Sequence, residues 1–339
     1  MRAQVFHGPG DLRYEEIPVP EPGPGEVLVR IEAALTCGTD VKTLRRGHPV
    51  MIPKLPTVFG HELCGTVAAV GEGATGVRVG DRVVAANSAP CGVCPYCLRD
   101  RANLCDDLLF VNGAYAEYIV LPPRLVARNL VPVPPGVSAA RLAFTEPVAC
   151  CLHAVDLAGL QPGDWVAVFG HGPLGLVLGL LAQSAGARVV LVGKAGPRLD
   201  AAARLGFAAC LDARAADPVG LVHDAAGGAL RCAIDATGRP EAWEHAVAAV
   251  DKGGSVVFFG GCAPGTTIRL DTRRVHYGEL RLLGAFHHTP ALIRRAVGLL
   301  AEARFDPSPL ITHEMGLRDV PDALGLMSRG EALKVLITP

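Results

Sequence analysis

The sequence predicts an α/β protein in two parts: a β-rich, loop-rich domain and a doubly wound parallel-sheet domain. Three observations carry this expectation. Residues 1 to about 150 are rich in Gly and Pro and hold short alternating segments. From Gln161 the rhythm changes to near-continuous apolar runs separated by helical stretches, the pattern of a parallel sheet covered on both faces. A glycine triplet then sits where one of those runs gives way to a helix.

In the first part, "EVLVRIEAALT" places Val27, Val29, Ile31 and Ala33 on one face of a strand. "GTVAAVG" and "GDRVVAA" are further short strands between glycines. In the second part the strands are "WVAVFG", "ARVVLVG", "AACLD", "CAIDATG", "SVVFFGG" and "LRLLGAF". About fifty residues follow the last of them, enough to return to the first domain. The expected boundaries are 1–150, 151–288 and 289–339, with a four-cysteine lobe at about 88–108. The longest apolar stretch, "LGLVLGLLAQSAGARVVLVG", is broken by Gly, Gln and Arg, so it is expected to be a buried helix and strand rather than a membrane span.

Composition narrows the function. Half of the 339 residues are hydrophobic and the formal net charge is -1, with no basic stripe. That argues against nucleic acid or an anionic membrane as partner. The N-terminus "MRAQVFHGPGDLRYEE" lacks the apolar core of a signal peptide, so a cytoplasmic protein is expected. Eleven cysteines in such a protein point to metal or redox chemistry rather than persistent disulfides.

"VAVFGHGPLGLVLGLLAQSAGA" places Gly170, Gly172 and Gly175 in a G-x-G-x-x-G spacing, with Pro173 and Leu174 opening the helix. The first glycine allows the tight turn, the second lets backbone approach a pyrophosphate, and the third lets helix pack on strand. The helix N-terminus then faces the phosphates. A nucleotide cofactor follows. The next strand ends "RVVLVGKAGPR", with Gly193 where an NAD enzyme carries the acid that binds the ribose 2′-OH. Lys194 and Arg198 come next. Losing a carboxylate and gaining two cations is what a 2′-phosphate requires. NADP(H) is therefore expected in preference to NAD(H). His171, inside the loop where a small residue is usual, is within reach of a phosphate but is expected to face solvent.

Cys91, Cys94, Cys97 and Cys105 are spaced C-x2-C-x2-C-x7-C. Four thiolates can close a tetrahedron around one zinc ion, leaving no place for substrate. An iron–sulfur cluster uses the same ligand type. The lobe is expected to brace structure. A reactive metal needs an open position, and Cys37 in "TCGTD" with His61 and Glu62 in "FGHELCG" offers thiolate, imidazole and carboxylate. Glu146 in "FTEPVACC" is a candidate further ligand near the domain boundary.

Together, "PGPGEVLVRIEAALTCGTD", "GHELCGTVAAVGEG", "GDRV", the four-cysteine lobe, "NGAYAEYI", "TEPVAC" and "GHGPLG" resemble the zinc-dependent medium-chain alcohol and polyol dehydrogenases, in family order. The nearest branch is that of sorbitol and threonine dehydrogenases. The resemblance implies a GroES-like catalytic domain, completed by the C-terminal tail, a Rossmann domain between, and an active site in the cleft. It implies Cys37, His61 and Glu146 as catalytic zinc ligands, with Glu62 binding directly or from behind, and Cys150 as rival to Glu146. The lobe cysteines match the family's structural zinc ligands.

Zinc-assisted hydride transfer between a secondary alcohol and the nicotinamide is implied. Thr39 resembles the hydroxyl that hands the proton onward. Five residues after Cys37, Lys42 replaces the family's relay histidine, and a lysine with pKa about 10.4 is a poor acceptor at neutral pH. Glu62, Glu146 or cofactor ribose remain as routes. His287 and His288 fall where the family passes the nicotinamide. A zinc-free quinone or enone reductase on this fold would lack Cys37 and His61, and a binding protein without catalysis would carry a damaged metal site. Polyols, sugars and their phosphates, diols and amino-alcohols all remain open as substrates, and relatives are commonly dimers or tetramers.

Overall fold

The computed structural model describes residues 1–339, which form two compact units: 1–149 with 288–339, and 150–287. Each is built around its own sheet.

The first unit is organised on a seven-stranded sheet whose central strand is Val27–Leu35. Glu62–Val70 lies antiparallel on one side of it, and both Tyr118–Leu121 and the C-terminal strand Lys334–Thr338 pair with it as well. The expected one-faced alternation is too simple. Val27, Val29, Ile31 and Ala33 are buried, but so are Leu28, Ala34 and Leu35. The alternation holds only in the middle, where Arg30 is exposed and Glu32 half-buried; at both ends of the strand the second face is covered as well, and apolar residues fill it. Phe6, Phe59, Tyr115, Leu121, Val335 and Ile337 pack into the same core. The chain therefore closes this unit with residues from its two ends.

The second unit holds six parallel strands in the spatial order Ala209–Asp212, Arg188–Gly193, Trp165–Phe169, Leu230–Asp235, Ser255–Phe258, Arg281–Gly284. Numbered along the chain, that is 3-2-1-4-5-6, the doubly wound order. Val166, Ala167, Val168, Val189, Val190 and Leu191 are fully buried, as strands covered on both faces must be. The strand order reverses beside Trp165–Phe169, which opens a crevice at its C-terminal end. The glycine turn sits there, followed by the helix Pro173–Ser184. A Cβ on Gly175 would lie 1.9 Å from the Gly170 carbonyl oxygen; only glycine allows the helix this close to the strand. No helix of the chain is long and apolar enough to cross a membrane.

Candidate functional site

Two strand registers assemble a buried donor set in the first unit. Leu35 pairs with Glu62 and also with Leu336. Just beyond these pairs the chain supplies Cys37, His61 and Lys334, residues far apart in sequence. Cys37 caps the helix Gly38–Arg46: its Sγ accepts from the Thr39 N–H at 3.4 Å, and Asp40 Oδ2 accepts from the Cys37 N–H at 3.0 Å. This is a capping box made with a thiol. His61 follows Gly60, whose φ of +85° leaves room for the Tyr115 ring, 2.7 Å from where a Cβ would be.

The Cys37, His61 and Glu62 donor atoms lie within 4.8 Å of one another, and all three residues are buried. His61 Nδ1 stands 2.9 Å from Asp40 Oδ1, at ion-pair distance though not aligned as a hydrogen bond. Asp40 also accepts from the Tyr115 hydroxyl at 2.5 Å. A carboxylate behind Nδ1 orients a ring whose Nε2 is left for a metal. Burial works against an imidazolium here, yet Asp40 and then Cys37 overcome it and hold His61 well above its ordinary pKa. The pocket thus attracts positive charge, and one thiolate, one imidazole and nearby carboxylates suit zinc with a position open.

Glu62 is engaged differently from a free ligand. Both carboxylate oxygens accept from Lys334 Nζ, one at 2.6 Å, with the pair almost wholly buried. Burial pushes Glu62 up to about 7 against the pull of Lys334 and His61. Burial also opposes the Lys334 charge, but Glu62, then Cys37, hold that ammonium above its ordinary value. Glu146, buried in the first turn of Thr145–Ala158, lies outside the three-donor cluster, while its charge reaches Glu62 and Lys334. Cys150 falls one turn later on the same helix.

Thr39 is half-buried beside Cys37, and Lys42 is exposed on the helix. His288 is buried with Nε2 3.1 Å from Asn87 Oδ1, a tie within the first unit. His287 adopts a left-handed backbone with φ +59°. Sequence reading passed over Asp40, Tyr115 and Lys334; of these only Asp40 carried a local signal, its capping position three residues after Cys37. It also passed over His48, which burial first, then Arg46 and His61, hold below its ordinary value.

In the lobe, the sulfurs of Cys91, Cys94, Cys97 and Cys105 all lie within 4.8 Å of one another. Cys91 Sγ is 4.0 Å from Cys97 Sγ, twice a disulfide length but close to the roughly 3.8 Å edge of a tetrahedron with 2.3 Å zinc–sulfur bonds. None of the eleven cysteines is in a disulfide. Backbone N–H groups of Val93 and Cys94 donate to Cys91 Sγ at 3.4 Å, and the Cys91 N–H to Cys105 Sγ at 3.2 Å. Such donors favour thiolate: those of Cys97 and Asp106 bring Cys94 down to about 6, whereas burial outweighs them at Cys97, which is raised, and at Cys105, which is pushed up to about 12. Cys97→Ser is expected to lower bound zinc by one equivalent per chain and Tm by about 5–10 °C. Metal analysis beside calorimetry checks this, and unchanged metal content would rule out the four-sulfur site.

The second unit carries the glycine loop and the strand end that follows it. Gly170 turns with φ +119°, and a Cβ on Gly172 would meet nothing within 4 Å, so the backbone there is open to a ligand. Pro173 occupies the first helical turn, where its missing N–H costs no hydrogen bond, with Leu174 after it. Gly193 ends its strand. Lys194 is exposed and Arg198 half-buried, with burial lowering the Arg198 pKa. His171 is half-buried rather than fully solvent-facing, with its side chain close against Gly193. Two further charges emerge. Asp212 pairs with Gly193 in register, accepts from the Ala195 N–H at 3.1 Å, and is held by Arg214 at 3.1 Å. Arg214 in the first place brings Asp212 down to about 2. No side chain at 193 opposes a 2′-phosphate, and the nearby carboxylate is already neutralised, so the residues present fit a nicotinamide dinucleotide carrying one.

The family model for an alcohol dehydrogenase GroES-like domain matches residues 23–135, and that for a zinc-binding dehydrogenase matches residues 173–302. Sorbitol dehydrogenase of Halalkalibacterium halodurans is 30% identical over 98% of this chain and 97% of its own length. L-threonine 3-dehydrogenase of Bacillus velezensis is 31% identical over 96% of this chain and 94% of its own. A solved structure from Sinorhizobium meliloti, described as a zinc-binding dehydrogenase bound to NADP, superposes with a TM-score of 0.90 at 32% identity, covering 100% of this chain and 99% of the other.

Proposed function

The chain belongs to the zinc-dependent medium-chain alcohol and polyol dehydrogenases and is an oxidoreductase; from that premise we propose that it moves a hydride between NADP(H) and a secondary alcohol or its ketone, the alcohol being a polyol, sugar or related hydroxy compound. The observation that carries this reading is the buried Cys37–His61 pair, with Asp40 behind His61, in a chain that also holds an intact glycine loop. Cys37 and His61 would hold a catalytic zinc, with Glu146 as the remaining carboxylate. Glu62, tied by Lys334, supports the site from behind. The lobe cysteines Cys91, Cys94, Cys97 and Cys105 would hold a second, structural zinc.

Zinc supplies Lewis acidity that makes the alcohol proton easier to lose, and the nicotinamide accepts two electrons. The chain's own residues do the rest. Asp40 fixes the His61 ring, and Thr39, half-buried beside Cys37, offers a hydroxyl to pass the proton on. Gly170, Gly172 and Gly175 let backbone and helix N-terminus take the pyrophosphate. Lys194 and Arg198 take the 2′-phosphate, and Gly193 offers it no repulsion. A small-molecule substrate, a cytoplasmic setting and a homodimer or homotetramer complete the proposal; thiolate zinc ligation suits a reducing compartment.

Initial rates with NADP+ and NAD+ across polyols, sugars, hydroxy acids, amino-alcohols and secondary alcohols, on protein of verified zinc content, test this reading. kcat/KM is expected to favour NADP+ by roughly tenfold or more, since a hydrogen bond to a charged group contributes about 1.5–3 kcal/mol. Equal or better rates with NAD+ would overturn the cofactor preference. No turnover with any class of hydroxy compound would overturn the substrate assignment.

A further inference from the structure

We propose that His171 is a specificity-determining residue: its side chain closes the position from which residue 193 would present a ribose-binding acid, and its imidazole joins Lys194 and Arg198 as a third contact for the 2′-phosphate. This rests on the NADP(H) reading and adds to it a residue outside the usual strand-end position.

The steric half follows from three distances. A Cβ built on Gly193 would lie 2.4 Å from His171 Cγ, 2.6 Å from its Cβ and 2.9 Å from its Cδ2. Carbon atoms in contact settle near 3.5–4.0 Å. Turning His171 about χ1 moves the ring but leaves its Cβ in place, so no rotamer relieves the 2.6 Å approach. Residue 193 must be glycine for as long as the loop carries a side chain at 171 in this position. An Asp or Glu cannot simply be restored at the strand end.

The electrostatic half concerns what surrounds the ring. His171 is half-buried and bonded to the Lys194 backbone; the charges of Arg198 and Lys194 and that of Asp212 act on it with opposite sign. Burial first, then the two cations, keep the imidazole below its ordinary pKa. Asp212, the carboxylate that acts on it, is already paired with Arg214. With Lys194, Arg198 and Arg214 positive and Asp212 negative, the formal balance of these four is 3 − 1 = +2 before any proton on His171. A dianionic phosphate matches that charge.

The test is the set of dissociation constants for NADPH and NADH, from quenching of intrinsic tryptophan fluorescence, in four proteins: wild type, His171→Ala, Gly193→Asp, and Gly193→Asp with His171→Gly. Circular dichroism checks folding in each. His171→Ala keeps the Cβ wall and removes the imidazole; NADPH should bind roughly tenfold more weakly, the equivalent of one charge-assisted hydrogen bond, with NADH within about twofold. Gly193→Asp alone should gain no NADH affinity, because the wall remains. The double variant should bind NADH at least about tenfold more tightly than Gly193→Asp. Equal loss of both cofactors in His171→Ala, or the same NADH gain with and without His171→Gly, would overturn the proposal while leaving the NADP(H) reading intact. A wild type that binds NADH more tightly would overturn both. Should Gly193→Asp fail to fold, the first variant and the wild-type ratio still decide the phosphate contact.

Discussion

Cys37→Ala is expected to lose one of two zinc equivalents per chain and to lower kcat by roughly a thousandfold or more, about 4 kcal/mol of transition-state stabilisation, the range expected of a Lewis-acid metal. The fold should survive. The thiol's structural task is to cap the helix Gly38–Arg46 through the Thr39 N–H, and a lost cap costs about 1 kcal/mol. His61 would keep Asp40 at Nδ1 and stay oriented, so the variant isolates one donor rather than collapsing the pocket. Cys37→Ser keeps a cap acceptor but not a thiolate, and should resemble the alanine variant in zinc content while recovering most of its stability. A Cys37→Ala protein that retained both zinc equivalents and more than a tenth of wild-type kcat would remove Cys37 from the ligand set. Metal analysis and kinetics on one preparation decide it.

Features set by local spacing were legible in the sequence, and features set by strand register were not. Apolar runs between helices announced the parallel sheet, and the glycine turn found its strand and helix because both lie within a few residues of it. The lobe cysteines span fifteen residues and meet as their spacing suggests. Lys334 stands 272 residues from Glu62, and only the double pairing of Leu35 with Glu62 and Leu336 brings them together. A lysine in "ALKVLI" gives no sign of that, since nothing local fixes which strand it will join. The half-burial of His171 has a related cause. Its exposure depends on the tip of the next strand, 22 residues on, where a glycine lets the ring pack. His288 likewise acquired a partner, Asn87, from a distant segment. Asp212 and Arg214 were invisible as cofactor neighbours until the register Gly193–Asp212 was known.

The Glu62–Lys334 pair yields the largest stability prediction. Neither side chain is more than 1% exposed, and both carboxylate oxygens are taken by one ammonium. Lys334→Met removes the counter-charge and leaves a buried carboxylate, a loss of about 3–5 kcal/mol for a pair broken from one side. Lys334→Met with Glu62→Gln removes both charges at similar volume and should recover most of that loss, because a well-packed neutral replacement of a buried pair is often close to neutral. The sign of the pH dependence is a further check. Without the Lys334 charge the folded state holds Glu62 protonated above about 7, whereas the unfolded chain releases that proton near its ordinary 4.5. The folded single variant therefore binds more protons than the unfolded chain between those values, so its stability falls as pH rises through that window. Wild-type Glu62 itself sits at about 7 with Lys334 beside it, so both proteins share that slope below 7, and the gap to wild type should widen only from about pH 7 to pH 9, with no such widening in the double variant. Thermal unfolding of the three zinc-loaded proteins across that range measures it. A gap that stayed constant, or a double variant no more stable than the single, would mean that Lys334 stabilises this unit by packing its stem rather than by neutralising Glu62.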